Sequence, residues 1–204
     1  MTVQTDLYDG MLSDIIALTN RPDLVTETDF ALRTATLSVH HSQAFPLDVA
    51  LAEVVLTVES YLVSLDRFIL FPRIRGLSTV RICGADLEPI VAPEITIVEL
   101  GDIYDPIYRT LKNNICYLAG AAVNVKTSVP AAAFLIEYLR SPQIQRAVYD
   151  SWIAVESPPV IVYSAAAIVL ATNGNEEKAK SYREMVKGTL QPELVSNFLT
   201  SAIR

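Results

Sequence analysis

The sequence predicts an α+β fold in which α-helices from both ends of the chain form a bundle and an antiparallel β module is inserted between them. Apolar residues recur at helical spacing near the start of the chain, alternate through its middle, and return to helical spacing near its end. We therefore expect a single domain, residues 1–204, with helical parts at 1–44 and 143–204 and a β module at about 47–142.

Two helices are predicted at the start of the chain. The first covers residues 5–19 and carries one apolar stripe, formed by Leu7, Met11, Ile15 and Leu18. Pro22 ends this helix, because proline lacks an amide donor and restricts the residue before it. The second helix runs from about Glu27 to His41, and Thr26 or Thr28 is expected to cap it.

The middle of the chain predicts strands. In AEVVLTVES, residues 52–60, polar and apolar side chains alternate as in a half-buried strand, and residues 61–65 are expected to pair beside it. A further strand lies in FPRIRGLSTVRI, residues 71–82, where Gly76 marks a turn or a bulge. A short helix is expected around Glu99 to Tyr104.

A hairpin and one more strand complete the predicted β module. NNICYLAGAAVNVKTS, residues 113–128, contains two strands around Ala119 and Gly120. The next strand covers residues 132–142 and ends at Pro142, because proline cannot continue a central strand.

The last third predicts helices with clear boundaries. Ser157 is a candidate N-cap, Pro158 suits a first helical position, and Asn173 with Gly174 forms a stop signal. Asn175 caps the next helix, and a final helix is expected to begin near Pro192.

The helix at about 159–173 is apolar on every side, so other protein must enclose it completely. The simplest enclosure is the core of the same chain. Trp152 precedes this helix on a segment that reads as irregular. It either packs the preceding loop across the helix or anchors a contact between subunits.

The composition restricts the classes of function. The net charge is −7 with an isoelectric point near 4.8, and no cluster of Lys and Arg provides the basic patch that phosphate binding requires. Cys83 and Cys116 have no metal-ligand spacing and are expected to be buried thiols. The longest apolar run, at 160–171, is too short to cross a membrane, and the start of the chain resembles no secretion signal, so a soluble protein made in the cytoplasm is expected.

No catalytic signature is visible, and we expect neither enzymatic activity nor a cofactor or metal. The seven glycines form no phosphate-binding loop and no dinucleotide fingerprint. His40 and His41 are adjacent and point in different directions on a helix, so we interpret them as surface or interface residues. The acidic pairs at 102/105 and 176/177 are interpreted as a turn boundary and a helix start.

A resemblance to a known family rests on the order of several short motifs. The chain resembles the head-to-tail adaptor (head-completion) proteins of tailed bacteriophages, and the similarity covers most of its length except 83–112. The motifs are LTNRPDL (18–24), HHSQAFPLD (40–48), FPRIRGLSTVRI (71–82), CYLAGAAVNVKTS (116–128), YDSWIA (149–154) before two prolines and an alanine-rich helix, and NGNEEKAKSYREM (173–185).

The resemblance implies a structural virion protein that forms a homo-oligomeric ring, typically of twelve copies, at the capsid vertex. Such a ring docks on the portal protein, extends the DNA channel without binding DNA specifically, and presents a platform to tail or nozzle proteins. An acidic channel wall suits this role, because attraction to phosphates would impede the passage of DNA. A terminal segment, for which residues 197–204 are the candidate, is expected to fold onto the portal.

Four residues are predicted at subunit interfaces. Trp152 with Tyr149 forms the proposed loop anchor, while Arg73 and Arg75 are candidate donors of salt bridges between subunits. Two alternatives stay open: another virion assembly protein, such as a tail terminator or decoration subunit, and a small soluble enzyme. Ring symmetry would separate the first alternative, and a pocket lined by a reactive acid or histidine would favour the second.

Overall fold

The computed structural model of the chain describes residues 2–90, 94–101, 103 and 114–201. Within these ranges it contains six α-helices and a sheet of five strands, so the protein is α+β. The elements in chain order are α1 (Thr2–Thr19), α2 (Val25–His41), β1 (Val49–Asp66), α3 (Arg67–Leu70), β2 (Ile74–Cys83), β3 (Thr96–Ile97), β4 (Ile115–Ala119), β5 (Ala122–Arg140), α4 (Trp152–Glu156), α5 (Pro158–Thr172) and α6 (Glu176–Ser201).

The chain divides into two compact units. Met1–Ala44 and Pro142–Arg204 together form the helical unit, and Phe45–Ser141 forms the β unit. The two boundaries fall within three residues of the positions at which the apolar periodicity changes in the sequence. Whether the two units act as one domain stays a prediction.

Helix α5 is the centre of the helical unit. It packs against α1, α2, α4 and α6, and eight of its residues are buried on all sides of the helix. The prediction of an intramolecular core helix is therefore confirmed. Ala165 and Ala166 are fully buried, and their small side chains allow neighbouring helices to approach closely.

Both ends of α5 lie where the sequence signals predicted them. Pro158 occupies the first turn, and Gly174, at φ +77°, adopts the left-handed conformation that ends the helix. The amide of Asn175 then donates to the carbonyl of Leu170 at 2.9 Å. Ser157 occupies the N-cap position, but its side chain forms no capping hydrogen bond.

Two predicted helix boundaries are wrong. Helix α2 begins at Val25, so its N-cap is Leu24, and the Thr28 hydroxyl instead donates to the Leu24 carbonyl within the first turn at 2.7 Å. Helix α6 continues through Pro192, where a separate helix was expected to begin. A proline inside a helix costs about 3 kcal/mol without forbidding the helix, so its presence did not define a new start.

Strand β5 is the central strand of the β unit. Strand β1 pairs with it along one edge, whereas β2 and β4 pair with two separate stretches of its other edge. Each of these three pairings is antiparallel. The short strand β3 pairs with β4 in parallel, so the sheet is mixed and the predicted wholly antiparallel module is wrong in this detail.

The strands are longer than the sequence predicted. The segments expected at 52–60 and 61–65 form the single strand β1, and the second hairpin strand continues through Pro130 to Arg140 as β5. The pairs Val55↔Ala133 and Leu62↔Lys126 lie seven positions apart on both strands. The irregularity between them, where Ser60 pairs with Ala131, therefore produces no net change of register. The sequence signal of alternation is lost at such an interruption, which explains the division into shorter predicted strands.

Other expectations for the β unit have mixed outcomes. The predicted hairpin turn is confirmed, with Gly120 at φ +55°, and β2 shows the predicted register shift at Gly76. Leu100 and Gly101 form a turn and Ile103 has 3-10 helical conformation, whereas Asp102 and Tyr104 lie outside the described residues, so the helix expected at 99–104 stays a prediction.

One face of the sheet forms the core of the β unit. Phe134 and Ile136 of β5 are fully buried there together with Val123 and Val125, and the Phe71 ring contacts the edge of the Tyr138 ring at 5.5 Å. Because β5 contributes to this core along its whole length, it fixes the positions of the strands on both of its edges.

Candidate functional site

The most distinctive surface of the molecule is an exposed apolar segment in the β unit. Ten of the seventeen large apolar side chains that the described residues expose lie between Leu47 and Leu70. We call this segment the β1 surface; its exposed members include Leu51 (56%), Val55 (59%), Val58 (75%), Leu62 (66%), Phe68 (69%) and Ile69 (77%). Apolar surface concentrated in this way marks an interaction site.

The β1 surface arises because β1 is apolar on both of its faces. Successive side chains of a strand point to opposite faces, so the even-numbered Ala50, Ala52 and Val54 pack against the core. Val49, Leu51 and Val55 point the other way and are exposed. A strand exposed to water on one face normally places polar residues there, so this second apolar row is unusual for a solvent-facing surface.

The short helix α3 extends the β1 surface. The Asp66 carboxylate accepts hydrogen bonds from the amides of Phe68 and Ile69, at 2.8 and 3.1 Å, and thereby caps the helix. Arg67 fixes the same turn to the hairpin, since its amide donates to the Ala121 carbonyl at 2.9 Å and its guanidinium to the Gly120 carbonyl at 3.1 Å. The two exposed apolar side chains are therefore held on a well-anchored turn.

Charge is distributed unevenly over the strands of the β unit. Strand β1 carries Glu53, Glu59 and Asp66 and no basic residue. Strand β2 carries Arg75 and Arg81 and no acidic residue. The two edges of this part of the sheet therefore differ in sign as well as in apolar character.

Arg75, a predicted intersubunit donor, forms an ion pair inside its own chain. Its guanidinium lies 2.7 Å from the Asp48 carboxylate, and the two side chains are only 13% and 3% exposed. This ion pair joins the residue before β1 to the start of β2, across β5. Arg73, the second predicted donor, is half-buried at φ +62°, and its carbonyl accepts a hydrogen bond from the Ser141 amide at 3.0 Å.

Tyr149, half of the predicted loop anchor, lies in the core of the helical unit. Its side chain is 1% exposed, its ring contacts the Tyr8 ring edge-on at 5.1 Å, and its hydroxyl bonds that of Thr36 at 2.8 Å. Burial raises the pKa of Tyr149, against the opposing effect of the Thr36 hydrogen bond. The structure therefore assigns this side chain an internal packing role.

Trp152 begins helix α4, and the expectation that it lies on an irregular segment is wrong. The Ser151 side chain caps this five-residue helix by accepting a hydrogen bond from the Ala154 amide at 3.2 Å. In the sequence, the prolines that follow obscured Ser151 as a helix start. The Trp152 side chain is half-buried and meets the His40 ring edge-on at 5.8 Å. Its partly exposed face leaves the predicted contact between subunits untested.

His40 and Ser151 form the arrangement closest to a catalytic pair. The His40 Nε2 atom lies 2.9 Å from the Ser151 hydroxyl oxygen, but each residue is 1% exposed. The interpretation of His40 as a surface residue is therefore wrong; it is an internal residue that holds α2 against the start of α4. His41 is exposed, as expected.

A second polar cluster joins α1 to α2. The Tyr8 hydroxyl donates to the Asp29 carboxylate at 2.7 Å and accepts from the Arg33 side chain at 3.3 Å, while Arg33 and Asp29 form an ion pair at 2.6 Å. Burial, followed by the Asp29 hydrogen bond, raises the pKa of Tyr8 to about 12. The cluster stabilises the contact of the two helices.

The thiols and the grooves of the described residues offer little for chemistry. Cys83 and Cys116 are buried as predicted, and burial raises the pKa of Cys116 to about 12, so its thiol is not activated. A shallow groove of about 370 Å³ lies beside Phe30 and Ile168, with Glu27 as its charged residue. Among the residues that the structure describes, no three His, Cys, Asp or Glu side chains converge as metal ligands.

Within the described ranges, none of the helices has both the length and the apolar character needed to cross a bilayer. No protein-family model matches the chain, and no curated protein matches it with significant similarity.

Sequence reasoning did not select the β1 surface, although the sequence contains a signal for it. VALAEVVL, residues 49–56, is apolar at odd and even positions alike, apart from Glu53. FILF, residues 68–71, adds a second apolar run immediately after a charged pair. The alternation of polar and apolar residues was interpreted as one polar face toward solvent. Other residues that point outward from the same strand are apolar, and this interpretation overlooked them.

Proposed function

We propose that this protein is a structural virion component that assembles into a ring of identical copies and joins the capsid portal to the tail. In this proposal the helices form a bundle into which the β module is inserted, and the ring extends the channel through which DNA passes. The number of copies, twelve, follows from the resemblance in motif order. The protein binds no cofactor and catalyses no reaction in this role.

The observation that carries the proposal is the β1 surface. Its exposed apolar side chains lie in one continuous segment of a chain whose net charge is −7. An acidic protein gains solubility from its charge and keeps an apolar contact surface for assembly. A ring uses such surfaces efficiently, since each copy presents two different contact faces to its two neighbours.

The internal polar contacts add a second line of support. Both His40 with Ser151 and Asp48 with Arg75 stabilise the fold and are closed to solvent. The polar groups that a reaction would employ are therefore occupied in packing, whereas the exposed features are apolar and suited to contact. This contrast favours an assembly role over the small enzyme.

The test is direct imaging and weighing of the assembly. We expect the purified full chain, by itself or added to portal rings, to form closed rings whose mass equals about twelve copies. Electron microscopy would show the symmetry, and native mass spectrometry would give the copy number. Rings that do not bind the portal would favour a tail terminator or decoration subunit. A chain that stays monomeric at high concentration, both alone and with portal rings, would contradict the proposal.

A further inference from the structure

Strands β1 and β2 form the opposite edges of one three-stranded layer. Residues 133–139 of β5 pair with β1 on one side and with β2 on the other. On its outer side, β1 has no strand partner within the described ranges. The outer side of β2 pairs only at its end, where the Ile82 carbonyl accepts from the Ile90 amide at 2.9 Å. Among the described residues, positions 74–81 of β2 are therefore a second edge without a strand partner.

The two edges point in the same direction. Both β1 and β2 are antiparallel to β5, so they run parallel to each other. Copies related by the small rotation of a many-membered ring keep nearly the same orientation, so β1 of one copy would be parallel to β2 of its neighbour where the two edges meet. Pairing of β1 with a second β1 about a two-fold axis would be antiparallel and would stop at two copies. Pairing of β1 with β2 continues from copy to copy.

The charges on the two edges match at the same level of the sheet. Leu135 of β5 is the register partner of Glu53 on β1 and of Arg81 on β2, so all three side chains lie in one row on one face. Glu53 and Arg81 are exposed, and within the described part of the chain neither forms an ion pair. In a ring whose axis runs parallel to these strands, rotation about the axis does not displace one copy along the strand direction relative to the next. Glu53 of one copy would therefore lie beside Arg81 of the next.

From this juxtaposition we infer that the outer edge of β1 pairs in parallel with the outer edge of β2 in a neighbouring copy, with Glu53 opposite Arg81. The inference rests on the proposed ring and adds the surface that closes it. Main-chain hydrogen bonds between the edges provide affinity, as when a strand is added to an exposed sheet edge. The opposite charges select the register, and the side chains of Val49 and Leu51 gain cross-strand neighbours on β2. Covering the edge also protects a long apolar strand from unspecific pairing.

Cysteine cross-linking tests the contact. Neighbouring strands lie about 4.8 Å apart, within the Cα separation of about 4.4–6.8 Å that a disulfide spans. We expect the full chain with both Glu53→Cys and Arg81→Cys to form, under mild oxidation, a ladder of covalent oligomers that reaches the copy number of the ring. The native cysteines are buried, so the unsubstituted chain gives the baseline. Each single substitution should leave the chain uncross-linked.

Charge exchange provides an independent test on the same residues. Glu53→Arg and Arg81→Glu should each reduce the fraction of chains in rings at least about tenfold, because like charges then meet at the contact. The protein with both substitutions should recover rings, because the pair is restored with its signs exchanged. At concentrations too low for rings to form, thermal unfolding of all three variants should match that of the original chain, since both positions are exposed on the separate chain.

The outcomes separate this inference from the proposed function. Rings without a ladder, or rings unaffected by either charge reversal, would overturn the inference and leave the proposed function standing. Efficient dimers of the Glu53→Cys chain alone would indicate β1–β1 pairing and also overturn it. Absence of rings from the unsubstituted chain, alone and on portal rings, would overturn both.

Discussion

Helix α5 and strand β1 are both rich in apolar residues, yet the fold buries them to very different extents. Side chains on all sides of α5 are buried by four neighbouring helices, whereas half of β1 is covered by its own core and the other half is exposed. A helix enclosed on all sides has its partners within the chain. A strand that is apolar on two faces and covered on one exposes an apolar row, which is the kind of surface that a partner would cover. Apolar composition therefore predicts burial, and only the structure shows whether the chain itself provides it.

The largest expected effect is a truncation inside α5. Ile161 is fully buried, so Ile161→Ala should lower the free energy of unfolding by about 2–5 kcal/mol, through lost burial and the cavity that remains. Urea denaturation followed by circular dichroism measures the change. A loss below about 1 kcal/mol would show that α5 is not the tightly packed centre of the helical unit.

The next effect concerns the ion pair between Asp48 and Arg75. Asp48→Asn should lower the free energy of unfolding by about 3 kcal/mol, because it removes the negative charge 2.7 Å from the Arg75 guanidinium, whose side chain is only 13% exposed. Glu59→Gln provides the matched control, since Glu59 is an exposed acid on β1, and its effect should stay within about 0.5 kcal/mol. Equal effects of the two substitutions would show that the ion pair does not support the β unit.

A smaller effect is expected from pH at the contact of α1 with α2. The pKa of Tyr8 is raised from its ordinary value of 10 to about 12, so the folded state holds this proton more tightly than the unfolded chain does. The associated stability is complete below pH 10 and is lost as the pH rises from 10 to 12, by about 2–3 kcal/mol.

Unfolding of the original chain and of Tyr8→Phe, measured between pH 9 and 12, isolates this contribution. The Phe variant should lose less stability over this range. Cys116, whose pKa burial also raises to about 12, contributes equally to both proteins and cancels in the difference. Parallel curves would show that the Tyr8 proton is not held by burial and Asp29.

The smallest effect on stability is the counterpart of the first prediction. Leu51→Ala removes an apolar side chain from β1 as Ile161→Ala does from α5, but Leu51 is 56% exposed. Its free energy of unfolding should change by less than about 0.5 kcal/mol, while assembly into rings should weaken. Mass photometry at several concentrations measures the assembly. A clear loss of stability with unchanged assembly would reverse the comparison between the two elements.

Much of the helical unit was predictable because local signals decide it. Pro158 and Gly174 mark the two ends of α5, since the signals that start and stop a helix act within one or two turns. The β unit was predicted less completely. The continuity of β5 through Pro130 depends on its partners β1, β2 and β4, which are distant in the sequence.

The candidate site was predicted least well. Tyr149 and Arg75 were expected at a surface, but the hydroxyl of Thr36 and the carboxylate of Asp48 hold them inside their units. Tyrosine and arginine are common both at interfaces and in buried polar contacts, so residue type could not separate the two locations. The exposure of Leu51 and Ile69 appeared only once their neighbours were placed.

The sequence by itself determined the class of the fold, the order of its helical and β parts, and the need of its apolar segments for partners. These properties follow from periodicity and composition, which are local. Only the tertiary structure decided which partners the chain supplies. It enclosed α5, paired Asp48 with Arg75 across β5, and left the outer edge of β1 without a strand partner among the described residues, because burial and register depend on contacts between residues far apart in the sequence.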